Sequence, residues 1–453
     1  MALPAGPSAP AFLQFTRWLR DPLGYLDRVY AEYGGMFTMR LPGVGPMVIV
    51  SHPDTIKALF VQPEIDAPGD EELKVLLGEN SVLLLTGAPH KHRRRLLMPP
   101  FNGSRMTVWG NAILAMTHSI VERWRPSSRV NVRDEMQEIT LNVMLQIVFG
   151  DHASDRRQKL RQDVGDRMLY GSKLSAVLPL WMPFLRPISK GWQDSIAAEK
   201  ACDEAFFAEI RACRERADPE DASVLAMLCQ ATDDTGRPLE DHEIRDELMT
   251  LMVAGHENTA SALSWLVYWL GTYPEIAERV KAELASLGPD PDPLTIAKLP
   301  YLEAVCNETL RYYPPVMLTM RRLIREPVEI EGVTLDPGTR IWGSIYLAHR
   351  RPEVYPEPTR FNPDRFLEWK PSLFEFIPFG GGHRRCIGMA FAIFEMKLII
   401  AAILQGSQLS LIDGQEVKAK RRTGLLAPDI KFEVSVDAVG RQAPPPPQRI
   451  AAE

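Results

Sequence analysis

A chain of 453 residues, 45% of them apolar, can bury one extended core or two or three smaller ones, and its formal charge of −6 lacks the basic excess that nucleic-acid binding needs. The five cysteines, Cys202, Cys213, Cys229, Cys306 and Cys386, are odd in number and form no C-x-x-C pair. That argues against a disulfide framework or a structural zinc site and fits a reducing compartment.

The opening stretch to Asp21 has no long apolar run, so neither a secretory leader nor a membrane span is expected. The expectation is a soluble, cytoplasmic protein that acts as a monomer. Short β-like runs at 36–40 and 47–50 are punctuated by glycine and proline, as in hairpins. From about Ile56 onward, apolar residues recur at helical spacing, clearly so at 113–124, 135–149 and 197–217. Between Leu174 and Leu185 lies a strongly apolar run.

Pro238-Leu239-Glu240-Asp241 opens the longest helical pattern, with acidic residues where they suit the helix dipole. It stops before Pro274, a length of roughly 50 Å at about 1.5 Å per residue. The pattern is apolar on most sides and is expected to be buried. Yet Ala254-Gly255-His256-Glu257-Asn258-Thr259 sits in its middle, and such local violations mark functional places. Strands are expected at 328–330, 333–335 and 340–342, then a proline-rich loop region, then a last long helix from about Cys386 to Leu404. No repeat and no clean linker divides the chain. The expectation is one mainly helical domain, 1–440, with small peripheral β-sheets and a long central helix, followed by a disordered proline-rich tail, 441–453.

The decisive segment is Phe379-Gly380-Gly381-Gly382-His383-Arg384-Arg385-Cys386-Ile387-Gly388. Its cysteine falls where glycine-rich backbone meets a helix start, and free N–H groups there favour an anionic sulfur. A thiolate is a strong soft ligand for haem iron, glycines let backbone pass close to a flat ring, and an arginine two places before the cysteine can reach a porphyrin carboxylate. A buried cysteine, a plain turn and a phosphate loop are the competing readings, the last weakened by the absence of Gly-Lys-Ser/Thr.

This segment resembles the haem loop of the cytochrome P-450 superfamily, Phe-Gly-x-Gly-x-Arg-x-Cys-x-Gly, at every fixed position. Glu308-Thr309-Leu310-Arg311 resembles the family's Glu-x-x-Arg motif. Phe361-Asn362-Pro363-Asp364-Arg365-Phe366 resembles the segment whose arginine completes a Glu-Arg-Arg cluster, and 254–259 resembles the oxygen-binding motif of the central helix. The resemblance runs from about residue 20 to 436.

The resemblance implies haem b (iron protoporphyrin IX) held through the Cys386 thiolate, with Phe379, Gly380, Arg384 and Gly388 around it. It implies propionate contacts from His90 and Arg94, four apart in a basic run, and from Arg322, with Arg321 a competitor. It implies a structural cluster of Glu308, Arg311 and Arg365. On the oxygen side it implies an acid, Glu257, and the residue after it, usually threonine but here Asn258, with Thr259 one place on. Either Asn258 holds the water that the hydroxyl would hold, or proton delivery rests on Thr259 or on substrate groups. Leu251, Ala254, Val316, Met317 and Leu318 are expected to line an apolar pocket, roofed by the 174–185 run, and His256 is expected to be a helix-face residue.

The implied activity is hydroxylation of an apolar small molecule (fatty acid, terpenoid or steroid-like) with dioxygen and two externally supplied electrons. The chain carries no flavin or iron–sulfur motif, so a ferredoxin and its reductase are the expected donors, docking near His383, Arg385 and Lys397. The alternatives are a peroxide-driven peroxygenase, a haem-thiolate isomerase or dehydratase and, remotely, a haem sensor.

Overall fold

The structure is a computed structural model that describes residues 3–69, 73–101, 105–150, 156–171, 175–176, 179, 183–218, 220–233, 235–422, 425–429 and 431–440. The proline-rich tail and half of the 174–185 run lie outside the described residues.

The chain opens with α1 (Ala11–Arg20) and α2 (Pro22–Tyr33), then the hairpin β1 (Met36–Leu41) and β2 (Gly45–Val50), α3 (Pro53–Val61) and β3 (Ile65–Asp66). There follow α4 (Lys74–Leu77), α5 (Gly87–Leu97), α6 (Arg105–Val121), β4 (Arg129–Asn131), α7 (Val132–Phe149), α8 (Arg157–Gly171), α9 (Lys190–Arg216) and α10 (Val224–Gln230). The central helix α11 runs Asp241–Thr272, followed by α12 (Pro274–Ala285), α13 (Pro293–Ile296) and α14 (Pro300–Tyr312). The chain then turns to strands: β5 (Arg322–Ile324), β6 (Val328–Ile330), β7 (Val333–Leu335) and β8 (Arg340–Gly343). It ends with α15 (Ile345–Ala348), α16 (Arg365–Glu368), α17 (Met389–Gly406) and the strands β9 (Ser407–Leu411), β10 (Ala419–Arg422), β11 (Leu425–Pro428) and β12 (Glu433–Val439). A mainly helical chain with small sheets is what the periodicity predicts.

Local chemistry sets the element ends. The Asn131 side chain accepts N–H bonds from Arg133 and Asp134 and starts α7; Ser189 does the same for Trp192 at the start of α9. The Glu243 carboxylate accepts the Glu240 N–H at 3.0 Å, closing the first turn of α11, and Pro274 blocks its continuation. The helix carries Leu248, Met252, Leu263, Trp265 and Leu266 at no exposure, so packing rather than propensity maintains its length. It lies along α7 and touches α9, α14 and α17.

The largest sheet has the order β1-β2-β8-β5-β3, with β2 and β8 parallel and the other pairs antiparallel. It joins strands from the first 66 residues to strands at 322–343, and a second core forms around Phe37, Met39, Met47, Met317, Trp342 and Tyr346. Among the described residues one helix, α17, is long and apolar enough to cross a membrane, but 67% of that window is buried inside the protein.

Candidate functional site

The basic run on α5 is divided by the helix period. Arg93 points into the protein, where it meets the buried carboxylates of Glu247 and Glu243 on α11 at 3.0 Å each. His90 and Arg94, four apart, face a cavity on another side of the helix. The α5–α11 contact is thereby fixed by charge, and the position of His90 and Arg94 relative to α11 with it.

The cavity spans about 1620 Å³ of atom-free space, part of it open to solvent. One wall is the 379–388 segment. Gly380 and Gly382 adopt φ of +64° and +66°, which glycine takes without steric cost. The Phe379 carbonyl accepts the Cys386 N–H at 3.0 Å, and the Gly380 N–H bonds the Ile377 carbonyl at 3.0 Å. A Cβ on Gly381 would stand 2.3 Å from the Phe60 ring. Gly381→Ala therefore forces ring and loop apart. The expected cost is about 1–3 kcal/mol, read as a lower urea midpoint.

Arg384 donates to the carbonyls of Ala67 (2.9 Å), Val82 (3.1 Å) and Leu85 (2.6 Å), tying this loop to the segment before α5. Arg322 is tied in the same way to Leu59 (3.3 Å) and Met320 (3.1 Å), while its neighbour Arg321 reaches away to Gly69 (3.0 Å) and does not line the cavity.

His90, Arg94, Arg322 and Arg384 all line the cavity. Burial first, and neighbouring cations after it, disfavour the charged forms of His90 and Arg322. Burial, and then Arg384, His383, Arg94 and Lys91, press the His90 imidazole down to about 4. Burial and then Arg384 lower Arg322 to about 10, with Asp66 acting against them. A cluster of cations this crowded favours an anionic guest at that edge.

Cys386 alone of the five cysteines has an exposed surface, and that surface faces the cavity inside the protein, with the rest of the side chain enclosed; the other four are free and wholly or largely buried. Burial raises its pKa, against the Gly388 N–H and the Arg94 and Arg385 guanidiniums, which favour the thiolate. A lowered value is what the free N–H groups at the helix start predict; in the protein alone, burial outweighs the Gly388 N–H and the two guanidiniums. A coordinated metal ion removes the proton outright.

The opposite wall is α11. Leu251, Ala254 and Asn258 fall on its cavity face at spacings of three and four, and Thr259 joins them at the edge. Asn258 donates from Nδ2 to the Ala254 carbonyl at 2.8 Å, while its Oδ1 is buried without a partner among the described residues. Val316, Leu318, Phe379, Gly380 and Gly388 complete the predicted lining.

Two expected residues do not line it. Glu257 sits about 100° around the helix from Asn258. Its carboxylate turns to α7, 3.0 Å from Arg133 and 2.6 Å from Gln137, and is 20% exposed. It is not the buried acid of the cavity. Met317 is 2% exposed and packs in the second core with Trp342 and Tyr346. The chain at 316–318 is extended and bridges Leu425 and Ser344, so alternate side chains face opposite ways and Val316, Met317 and Leu318 cannot all face the cavity. A third correction concerns the docking residues: Lys397 is buried and paired with Glu303 at 2.6 Å, so it offers no charge to a partner. His256, as expected of a helix-face residue, packs inward, with its Nδ1 2.9 Å from the Thr140 hydroxyl.

Sequence reasoning missed Glu395 of α17, which lines the cavity at no exposure. The signal was a charge inside the apolar run from Phe391 to Ala402.

Behind the loop, Glu308 accepts Arg311 Nε at 2.6 Å, Arg311 Nη2 at 2.8 Å, Arg365 Nε at 3.2 Å and the Asn362 N–H at 2.8 Å. Arg311 also donates to the carbonyls of His349 (3.0 Å) and Pro358 (2.9 Å). His349, pressed down to about 3 by burial and by Arg311, is neutral and accepts the Ile377 N–H at 2.9 Å. The cluster thus holds the chain that leads into the cysteine loop.

A soft sulfur donor on one wall, apolar side chains between, and cations at one edge suit a flat apolar macrocycle with acidic substituents and a central metal. The residues present fit an iron porphyrin.

Comparisons with known proteins agree. The family model described as Cytochrome P-450 matches residues 4–436. Cytochrome P-450 135B1 of Mycobacterium tuberculosis is 35% identical over 445 residues, 97% of this chain and 92% of its own. Cytochrome P-450 135A1 of the same species is 33% identical over 410 residues, 89% and 88% of the two chains. Among solved structures, a retinoic-acid-bound cyanobacterial CYP120A1 matches with TM-score 0.84 and 26% identity, covering 96% of this chain and 99% of that one. The haem domain of cytochrome P-450DA matches in fold, with TM-score 0.84 at 22% identity over 98% of each chain.

Proposed function

Since the chain belongs to the cytochrome P-450 family and is a haem-thiolate monooxygenase in general kind, we propose that it hydroxylates an apolar small molecule, using dioxygen and two electrons from a separate ferredoxin and its reductase. The observation that carries this reading is one continuous cavity between the Cys386 thiol and the Asn258–Thr259 face of α11. Haem, when bound, supplies dioxygen activation and insertion of one oxygen atom into a C–H bond. The rest falls to this chain's residues. Cys386 supplies the sulfur ligand, assisted by the Gly388 N–H and by Arg94 and Arg385. His90, Arg94, Arg322 and Arg384 take the acidic edge. Leu251, Ala254, Val316 and Leu318 exclude water and orient the substrate by shape.

The cations of the cavity are committed to the haem edge and the sulfur, which favours a neutral terpenoid or steroid-like substrate over a fatty acid anchored by its carboxylate. The cyanobacterial structure holds retinoic acid, so an apolar acid of that kind is the natural comparison ligand. The enzyme is placed in the cytoplasm as a monomer under this reading. Titrating purified haem-loaded protein with terpenoids, steroids, fatty acids and retinoic acid, and following water displacement in the Soret region, tests it. Neutral ring systems binding more tightly than straight-chain acids is the expected order, and the reverse order rejects it.

Asn258 favours a second reading. An amide stands where an alcohol is usual, and its Oδ1 has no partner among the described residues. Such an oxygen can anchor a water but relays protons poorly, which suits turnover with peroxide. The two readings separate in Asn258→Leu. If dioxygen chemistry is the native activity, the dioxygen-driven rate falls by about tenfold or more and the peroxide-driven rate persists. Equal loss in both would contradict it.

A further inference from the structure

A second cavity, about 760 Å³ of atom-free space partly open to solvent, lies between α6, α7 and α8 and shares no lining residue with the haem cavity. Each helix gives it a stripe of side chains at spacings of three and four. From α6 come Met116, Ser119 and Ile120, with Arg123 just past the helix end; α7 supplies Glu138, Asn142 and Leu145, and α8 supplies Arg157 and Arg161. Ile120 and Leu145 are buried and Met116 is half-buried, so the floor is apolar. The polar groups gather at the rim, where the Arg123 and Arg161 side chains are 55% and 43% exposed.

Arg123 and Arg161 both donate from Nη2 to one carboxylate oxygen, Oε1 of Glu138, at 2.9 Å each. Two cations on one anion leave a local positive excess in a chain whose formal charge is −6. Burial raises the Glu138 pKa, but hydrogen bonds from the two arginines outweigh it and keep the group ionised at neutral pH. A guanidinium carries five N–H donors, and this contact uses one from each. The Asn142 amide and the Ser119 hydroxyl line the same cavity, and neither bonds another side chain or carbonyl among the described residues. An apolar floor under convergent guanidiniums and spare neutral donors suits a ligand with an oxyanion at one end and a short hydrocarbon at the other.

We propose that the α6–α7–α8 cavity is a second binding site, for a small organic anion: a phosphate or carboxylate head between Arg123 and Arg161, with Asn142 and Ser119 donating to its remaining oxygens, and a short apolar tail on Met116, Ile120 and Leu145. The inference goes beyond the monooxygenase reading and does not rest on it. α7 stands between this site and the central helix. Its other face carries Arg133 and Gln137, which hold Glu257, and Thr140, which meets His256. The occupant is thus one helix removed from the Asn258 face of the haem cavity and touches neither haem nor substrate. Glu138 competes with the anionic head for both guanidiniums, so its loss strengthens binding while loss of either arginine weakens it.

Methyl NMR of the haem-loaded, reduced, carbon-monoxide-bound protein, labelled at the methionine methyls, tests it. Met116 reports on this site and Met144, which lines the haem cavity, on the other. Met116→Leu and Met144→Leu assign the two signals. The probes are hexyl phosphate, hexanoate, hexanol and inorganic phosphate. The expected result is a saturable Met116 shift with hexyl phosphate or hexanoate, at a midpoint of its own, distinct from any change at Met144 or in the Soret band. The tighter of the two identifies the head group. Hexanol and inorganic phosphate, each lacking one half of the ligand, should bind about tenfold more weakly. Glu138→Gln should tighten binding about threefold, and Arg123→Gln or Arg161→Gln should weaken it by about as much. No Met116 shift with either amphiphile, or one that moves only in step with Met144, overturns the proposal. So does a shift that inorganic phosphate reproduces at the same concentration, which is a surface counter-ion only, or one that Glu138→Gln weakens. If Met116 responds as expected but the carbon-monoxide spectrum is not that of a thiolate-ligated haem, the monooxygenase reading fails and this inference stands.

Discussion

Glu308→Gln is expected to lower stability by about 3–5 kcal/mol, because it leaves two guanidiniums facing a neutral amide in the interior. Glu308 and Arg311 have no exposed surface, and Arg365 is 9% exposed, so water cannot replace the missing charge. An exposed pair at the same spacing would contribute well under this. The damage should also travel. Arg311 holds the carbonyls of His349 and Pro358, and His349 holds the Ile377 N–H at the entry to the cysteine loop. Urea unfolding should show an earlier midpoint, and haem transfer to apomyoglobin should run faster than in the parent protein. An unchanged midpoint would mean that the cluster is no more than a coincident set of charges.

Cys386→Ser should have the opposite profile, with a large functional effect and a small structural one. The loop owes its shape to the Phe379–Cys386 backbone bond, to the positive φ at Gly380 and Gly382, and to the Arg384 bonds, none of which uses the sulfur. Unfolding of the haem-free protein should therefore shift by no more than about 0.5 kcal/mol. A serine oxygen is a harder ligand that keeps its proton at neutral pH. The strongly red-shifted Soret band of the reduced, carbon-monoxide-bound protein should disappear, and dioxygen-driven turnover should fall to background. Persistence of that band would remove Cys386 as the iron ligand.

Much of this was legible in the residues. The central helix could be read because Glu240–Glu243 and Pro274 mark its ends chemically, and the cysteine loop because glycines and charges cluster there for reasons of backbone geometry. What escaped was orientation. The sequence placed Glu257 and Asn258 side by side, but one helical step separates a side chain held by α7 from one facing the cavity. It named three consecutive residues, Val316 to Leu318, as lining, although an extended segment shows only alternate ones. Lys397 read as a surface charge because its partner Glu303 is 94 positions away. Glu395 shows in the sequence only as a charge inside an apolar run; that α17 carries it to the cavity is set by the tertiary fold.

The five-stranded sheet has a consequence for how the chain is made. β8, at 340–343, fills the slot between β2 and β5, so the N-terminal hairpin has no partner on one side until three-quarters of the polypeptide has left the ribosome. During that interval β2 is an open edge of apolar residues, Met47 to Val50, able to pair with any other strand it meets. Such late long-range pairing slows folding and exposes nascent chains to aggregation. Yield of soluble protein should therefore depend on translation speed and chaperone supply across residues 50–340, a constraint set by strand order alone.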